Sequence, residues 1–434
     1  MERGRGVMTT LLFASFFALI FLRIPVGFAL ILSSFLVIVA DGLPPNLVAL
    51  RLYEGLTPFP ILAIPLFYSL GLLCNSSGFT ERIMVLARAL VGGVRAGLAH
   101  VNIVASMLFA GISGSSTADT AGIGSVIMPQ MVKAGYSKPF TVAVTACSST
   151  MGNIIPPSIL MVIYGAFGNV SIGMLFLGGF LPGLLLGFGQ MALVYVLARR
   201  YDFGVEDKNE RPPLGRSVLH GVLPLGVPLV IIGGIVGGVF TPTESAAIAI
   251  FYVLALSTFV YRELTLKSLR GLLQEGGRFV ALPLIMTAAA AVFAWLLAYY
   301  QFPEAMVSVM EEFGASRYGV LASVVFAFLI LGCFLDTVPA IIMFLPIVQA
   351  LGDSAGIHPV QMGVIVVLTG ALGLVTPPYG VCLLVASKII GIHPRQAIAI
   401  TLMFGGVSMA VIIFAMLVPE VTLFLPKLLM AKFF

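Results

Sequence analysis

Two aspartates in apolar surroundings are the residues of this chain best suited to chemistry. Asp119 closes the stretch GISGSSTAD at 111–119, and Asp336 closes GCFLD at 332–336. A proline follows each by 10 residues (Pro129, Pro346), and a double proline comes 37 residues after Asp119 and 41 after Asp336 (Pro156-Pro157, Pro377-Pro378). Carboxylates, hydroxyls, amide oxygens and unwound carbonyls are the ligands a hard cation prefers. Helix N-termini exposed at a break favour anions. Ser113, Ser115, Ser116, Thr117 and Asn153 add side-chain oxygens near the first aspartate, and Thr337, Thr369 and Thr376 near the second. Two plainer roles compete with an ion site. A hydroxyl can bond back to its own helix, and a carboxylate at a helix start can simply cap it.

The elements that must hold these residues are set by composition. Hydrophobic residues make up 59% of the 434 and charged residues 9%, with a mean hydropathy of +1.10, against roughly 25% charged in a soluble domain. Such a chain is an all-α polytopic membrane protein: its long unbroken apolar runs suit helices rather than the alternating strands of a barrel. At ~20 residues per span, its length allows on the order of ten to twelve membrane segments. A sequence pI near 9.0 does not point to nucleic acid, because the basic residues sit in short loops between apolar runs, as membrane orientation requires. Cys74, Cys147, Cys333 and Cys382 lie in apolar context without metal-ligand spacing and read as reduced core residues. The basic, apolar N-terminus lacks a small-x-small cleavage site and reads as an uncleaved first helix.

Apolar segments fall at about 7–22, 26–40, 57–74, 97–112, 120–131, 139–170, 172–198, 218–240, 245–261, 279–300, 318–335, 338–350, 360–391 and 396–418. The pairs 97–112/120–131 and 318–335/338–350 are too short to cross singly at ~1.5 Å per residue, and read as two re-entrant hairpins. The runs 139–170 and 360–391 are long enough but carry the double prolines, which should split each into two half-helices rather than merely kink it. Amphipathic stretches with Arg82, Arg88 and Arg95, and with Glu304, Glu311 and Glu312, precede the hairpins and read as interfacial helices.

Each set of interfacial helix, hairpin and broken helix thus occurs twice. If both hairpins return to their own side, the loops divide into one set carrying 17 of the 23 Lys and Arg residues and another carrying six. The first set is cytoplasmic, which turns both termini outward, brings the first hairpin in from the cytoplasm and the second from the opposite face. This is the inverted repeat of secondary transporters. On this arrangement Asp119 and Asp336 are the only two of 18 acidic residues deep in the membrane, where a carboxylate costs at least ~2.5–3.5 kcal/mol.

Other motifs are negative. No Gly-Lys pair occurs, so there is no Walker A loop; Ser115 stands where the last glycine of a nucleophile elbow belongs; the four histidines form no zinc pair. In GGVFTPTESAA at 237–247, Thr241 or Thr243 can cap a helix begun by Pro242 and Glu244.

GISGSSTAD with its following proline, NIIPPS, GGVFTPTESAA, GCFLD and GLVTPPYG match, in order and over essentially the whole chain, the large membrane subunit of the tripartite ATP-independent periplasmic (TRAP) transporters. Ser245 stands where that pattern has alanine. The resemblance implies an elevator-type carrier in a bacterial or archaeal inner membrane, surrounded by lipid. Its scaffold would comprise 1–78, 172–278 and 393–434, with repeats at 79–171 and 279–392. It implies sodium as coupling ion and no organic cofactor, with sodium near Ser113, Ser115, Asp119 and Asn153 and again near Gly332, Asp336, Thr337 and Thr376. Substrate would meet Ser116, Asn153, Pro157 and Thr376. It further implies a periplasmic binding protein that delivers an organic acid, such as a dicarboxylate, sialic acid or a sugar acid. A small four-helix membrane subunit would be a separate chain. Alternatives are a stand-alone sodium/carboxylate carrier and an intramembrane enzyme using Asp119 and Asp336.

Overall fold

A computed structural model describes residues 2–203, 212–378 and 380–433; Tyr379 of GLVTPPYG and residues 204–211 of the expected cytoplasmic loop 199–216 lie outside these. Among the described residues the chain is helical throughout, with no strand. It opens with α1 (Glu2–Phe21), α2 (Val26–Ala40), α3 (Asn46–Glu54) and α4 (Ala63–Ser76), the last entered through a 3-10 turn at Phe59–Leu62. Then come α5 (Phe79–Val91), α6 (Gly97–Ser113), α7 (Ser116–Lys133), α8 (Lys138–Ser149) and α9 (Ile159–Gly168). Four helices follow: α10 (Ile172–Arg200), α11 (Leu214–Val236), α12 (Pro242–Ala255) with a π turn at Leu256–Val260, and α13 (Leu266–Tyr299). The second set is α14 (Phe302–Glu312), α15 (Arg317–Gly332), α16 (Thr337–Ser354), α17 (Pro359–Gly373) and α18 (Val381–Ile390), closed by α19 (Ile398–Leu417) and α20 (Glu420–Leu429).

Local chemistry explains why α6 and α7 form a hairpin. Gly114 takes a left-handed φ of +63°, ending α6, and the Ser115 hydroxyl accepts from Ala118 N at 3.5 Å to cap α7, so the chain reverses in two residues. Between α15 and α16 the Asp336 carboxylate does the same work, accepting from Val338 N at 3.3 Å. The AGYSKP and AGIHP turns end each hairpin alike: Gly135 and Gly356 have positive φ, and Ser137 and His358 cap the next helix. Beyond them, α8 tightens into a 3-10 turn over Thr150–Asn153 and breaks at Pro156-Pro157, with Ser158 capping α9. Helix α17 ends before Pro377-Pro378, and α18 begins after Gly380.

The two sets interlock. Helix α18 packs against α7 and α8, while α9 packs against α16. Gln349 on α16 donates to the Gly168 carbonyl at the end of α9 at 2.6 Å, and Ile389 on α18 lies against Gly124 on α7. Each set's second half-helix therefore rests on the other's hairpin, and their buried side chains belong to one continuous core.

Seven helices among the described residues are long and apolar enough to cross a membrane by length and composition, fewer than the ten to twelve expected from chain length. The shortfall comes from helices of 15 to 17 residues (α2, α6, α15, α17) and from half-helices of 10 (α9, α18). One hairpin arm corrects the expectation in the other direction. Helix α16 outlasts its apolar run, reaching 18 residues, and is among the seven. Helix α13 begins at Leu266, inside the expected loop 262–278. Two amphipathic helices were not expected: α3, whose Arg51 lies 4.5 Å over the Trp295 ring, and α20, which packs on α10. At the start of α12 the expected cap is present and is Thr241, reciprocated by Glu244 in a capping box.

Helix α5 is clasped to the segment after α12 by one side chain. The Arg82 guanidinium lies 3.6 Å over the Tyr261 ring, bonds to Glu263 Oε1 at 2.9 Å and donates to the Gly78 carbonyl at 2.7 Å. Cation–π contacts and half-exposed ion pairs together contribute about 1–2 kcal/mol. Arg82→Ala should lower the thermal unfolding midpoint of the detergent-solubilised protein, and Glu263→Gln should lower it less, because the ring contact survives. Equal effects would show that the ion pair, not the ring, dominates.

Candidate functional site

The first hairpin tip is seated in the gap of its own broken helix. Ser116 N donates to Asn153 Oδ1 at 3.1 Å, Ser116 Oγ donates to the Thr150 carbonyl at 3.2 Å, and Ile159 N donates to the Gly114 carbonyl at 3.2 Å. Ser158 Oγ returns a bond to the Asn153 carbonyl. These contacts take up backbone groups that the tip and the break both leave open, as an irregular backbone in apolar surroundings requires. Gly114 must be glycine here on two counts: its φ is positive, and a Cβ would stand 2.8 Å from the Pro157 carbonyl oxygen.

Asp119 does not cap α7; Ser115 does. The aspartate lies one turn further in and is wholly buried, accepting from the Ser113 hydroxyl through Oδ1. Its second oxygen, Oδ2, is buried with no hydrogen-bond partner. That oxygen is aimed at the 3-10 turn of the break, where a Cβ on Gly152 would lie 2.3 Å from it. An unpaired carboxylate oxygen in such a place is costly unless a cation or proton meets it. Around it stand Ser113, Ser115, Ser116 and Asn153, all buried, with the Ser115 and Thr117 hydroxyls 3.1 Å apart. The donor set is all oxygen with one formal negative charge, which suits a hard cation. Among the described residues no three His, Cys, Asp or Glu side chains gather as they would for a transition metal.

The second tip meets its break in a corresponding way. Thr337 Oγ1 donates to the Gly370 carbonyl at 3.0 Å, and the backbones of Gly332 and Gly373 touch, so that a Cβ on either would lie 2.8 Å from the other's α-carbon. Asp336 and Thr337 thus stand at the tip as expected. Thr369 instead bonds back to Ile365 of its own helix at 2.7 Å, and Thr376, in the turn past the end of α17, bonds back to Leu372 at 2.8 Å. Asp336 is partly buried and acts as the cap.

The interlock brings the two regions together. Cys382, near the start of α18, is buried and lies within electrostatic reach of both Asp119 and Asp336. Tyr68, on α4, lies beside Ser115 of the first tip and within electrostatic reach of Asp336 at the second. Neither residue stood out in the sequence, because each comes from an element remote from the stretch it touches. Gly152, Gly370 and Gly373 were also missed; their signal was glycine just ahead of a double proline, where a close backbone approach is the usual reason. Polar pairs fasten the hairpin to the broken helix: Asn102 donates to Thr145 Oγ1 at 2.6 Å and the Ser106 and Ser148 hydroxyls lie 2.9 Å apart.

A family model described as "Tripartite ATP-independent periplasmic transporter, DctM component" matches residues 13–421. The chain is 36% identical to the sialic acid TRAP transporter large permease protein SiaM of Vibrio cholerae, over 94% of this chain and 96% of that protein. It is 35% identical to the C4-dicarboxylate TRAP transporter large permease protein DctM of Pseudomonas aeruginosa, over 87% and 89% respectively. Against the 2,3-diketo-L-gulonate TRAP transporter large permease protein YiaN of Escherichia coli the identity is 31%, over 94% of each. These relatives are transporter permeases, so the enzyme alternative built on Asp119 and Asp336 falls away.

Gly152→Ala and Gly373→Ala each place a methyl group inside contact distance of a fixed neighbour, whereas Gly406 on α19 has nothing within 4 Å of a built Cβ. Overpacking at a tight backbone approach costs on the order of 1–3 kcal/mol. Thermal unfolding should therefore drop for the first two variants and stay level or rise for Gly406→Ala. A Gly373→Ala protein as stable as the parent would mean that the tip and break can separate freely.

Proposed function

This chain belongs to the DctM component family of the tripartite ATP-independent periplasmic transporters, and on that premise we propose that it carries an organic acid inward, coupled to sodium. The observation that carries the reading is the buried, unpartnered Asp119 Oδ2 inside a cluster of oxygen-bearing side chains where a hairpin tip closes the gap of a broken helix. A carrier of anions driven by sodium needs such a pair of features: oxygens for the cation and free helix N-termini for the carboxylate. Three curated relatives are named for sialic acid, a C4-dicarboxylate and 2,3-diketo-L-gulonate, and an organic acid is the common class.

In this proposal Ser113, Ser115, Asp119 and Asn153 hold one sodium, and Gly332, Asp336, Thr337 and Thr376 hold another, Gly332 through its backbone oxygen because it lacks a side chain, and Thr376 through a lone pair its hydroxyl keeps while donating to the Leu372 carbonyl. Both ions are cargo, not resident cofactors. The acid meets Ser116, Asn153, Pro157 and Thr376 at the breaks. Helices α5 to α9 and α14 to α18 form two repeats of opposite orientation in the inner membrane, with re-entrant hairpins, and move as an elevator against the remaining helices. Both termini face outward, as the bias of Lys and Arg toward the other loops supports. A periplasmic binding protein delivers the acid and a small four-helix membrane subunit completes the carrier.

Uptake into liposomes holding this chain and its small subunit tests the scheme. Expected is sodium-driven uptake only when a loaded binding protein is added; strong uptake without it supports a stand-alone carrier instead. Asp119→Asn keeps shape and the Ser113 contact but removes the charge, and should cut uptake by at least tenfold with loss of sodium dependence. Asp336→Asn, which removes the charge from a helix cap, should leave the fold intact and also impair uptake. Unchanged sodium dependence in both variants would remove the ion-site assignment.

A further inference from the structure

We propose that the apolar cavity bounded by the starts of α8 and α19 and the end of α10 is a binding site for an anionic phospholipid, with an acyl chain in the cavity and the phosphate at the basic residues around its mouth. It lies at the far end of α8 from the break, so it stands apart from the ion and substrate sites and does not depend on the sodium reading.

The cavity measures about 430 Å³, within the roughly 300–1,000 Å³ usual for small-molecule sites. Its wall is apolar: Phe140 of α8, Leu197 of α10, Phe203 just beyond it, and Ile400 and Met403 of α19. Aromatic contacts fix that wall. The Phe140 ring lies edge-on to Phe203 with centres 5.0 Å apart, stacks on Tyr136 at 6.0 Å and meets Phe404 of α19 at 6.3 Å. Three segments remote in sequence are thereby held around one space. Val196 on α10 and Leu402 beside Met403 on α19 are exposed, so the cavity lies on an apolar surface of the kind that lipid tails cover.

Polar and basic groups gather around the same cavity. Ser137 and Tyr201 line it and are exposed. Ser137 Oγ accepts from Phe140 N at 3.4 Å to cap α8 and keeps its proton to donate. Lys138 follows it directly, and Lys133 comes two residues before Gly135, which also lines the cavity. Arg199 and Arg200 precede Tyr201, with the Arg200 guanidinium 5.9 Å from the Tyr201 ring centre. Arg395 lies in the turn that leads into α19. All five cations are exposed, and none is in an ion pair among the described residues. Asp202, the carboxylate nearest in sequence to the lining, is already held by Arg95. Helices α8 and α19 both begin here, and their positive dipole ends add to the same field.

That combination selects an amphiphile with a negative head. A small organic anion would leave the apolar wall unused, and a zwitterionic lipid would bring its own ammonium against the cations. An anionic phospholipid satisfies both parts, as basic pockets between membrane helices do elsewhere.

The test is native mass spectrometry of the full chain purified in detergent, titrated with dioleoyl phosphatidylglycerol and separately with dioleoyl phosphatidylcholine, which share their chains. The first should bind about tenfold more tightly. Lys138→Gln and Arg200→Gln change exposed side chains, should leave thermal unfolding unchanged, and should each weaken phosphatidylglycerol binding by about fivefold. Lys432→Gln, near the end of the chain, should leave it unaltered. Ile400→Trp, which fills the cavity, should abolish the preference between the lipids, and inorganic phosphate should not displace phosphatidylglycerol. Equal affinity for the two lipids, parent-like binding by Lys138→Gln and Arg200→Gln, an equal loss in Lys432→Gln, or displacement by inorganic phosphate overturns the proposal. So does loss of the lipid when the small membrane subunit is added, which would make the cavity that subunit's seat.

Discussion

Everything in this fold depends on the seating of each hairpin tip in the gap of its own broken helix. A chain of 59% hydrophobic residues has few polar groups to spare, and each turn or break inside its apolar body exposes backbone donors and acceptors that water does not reach. The first tip and break resolve this together. The Gly114 carbonyl serves Ile159 N, Asn153 Oδ1 serves Ser116 N, and the Thr150 carbonyl takes the Ser116 hydroxyl. In the second, Thr337 reaches the Gly370 carbonyl. The irregular segments are therefore affordable only as pairs, and their pairing fixes how the arms of the hairpins approach the half-helices.

That approach has to be close, and glycine makes it so. Gly332 against Gly373, Gly370 against the Thr337 methyl and Gly152 against Asp119 are contacts in which any Cβ would overlap a neighbour. Larger residues would hold tip and break apart and leave their carbonyls without partners, a penalty of ~1–3 kcal/mol for each group left buried and unpaired. The interlock of α9 with α16 and of α18 with α7 and α8 then ties the two paired units to each other.

The architecture was legible in the sequence because its signals are local. Double prolines, a two-residue Gly-Ser turn, capping aspartate and the AGYSKP and AGIHP turns dictate where helices stop, and the observed ends of α6 to α9 and of α15 to α18 lie within a few residues of the expected ones. Amphipathic α3 and α20 were not legible, since their short polar-apolar pattern resembles a loop and they gain stability only by packing on Trp295 and on α10. At the site, the cluster of Ser113, Ser115, Ser116, Asp119 and Asn153 was readable from residue type and spacing. Tyr68 and Cys382 were not, because which remote helix faces a tip is decided by tertiary packing. The threonines divide for a physical reason as well. Thr337 is at a helix start with no carbonyl one turn behind it, so it bonds across to Gly370, whereas Thr369 and Thr376 each have one available and use it.

The two tips are alike in plan but not in electrostatics, and the difference bears on what each can bind. In the second, Asp336 spends an oxygen on capping α16, where the helix dipole already offsets part of its charge. In the first, Ser115 has taken the cap, which frees Asp119 to sit a turn deeper with one oxygen held by Ser113 and the other unpartnered. A carboxylate balanced by a helix end is a weaker attractor than one whose second oxygen has nothing to meet. The first tip therefore holds a buried carboxylate oxygen with nothing to meet, and the second a carboxylate already spent on a helix end. The division follows from a single residue: serine at the start of α7 where the start of α16 has aspartate.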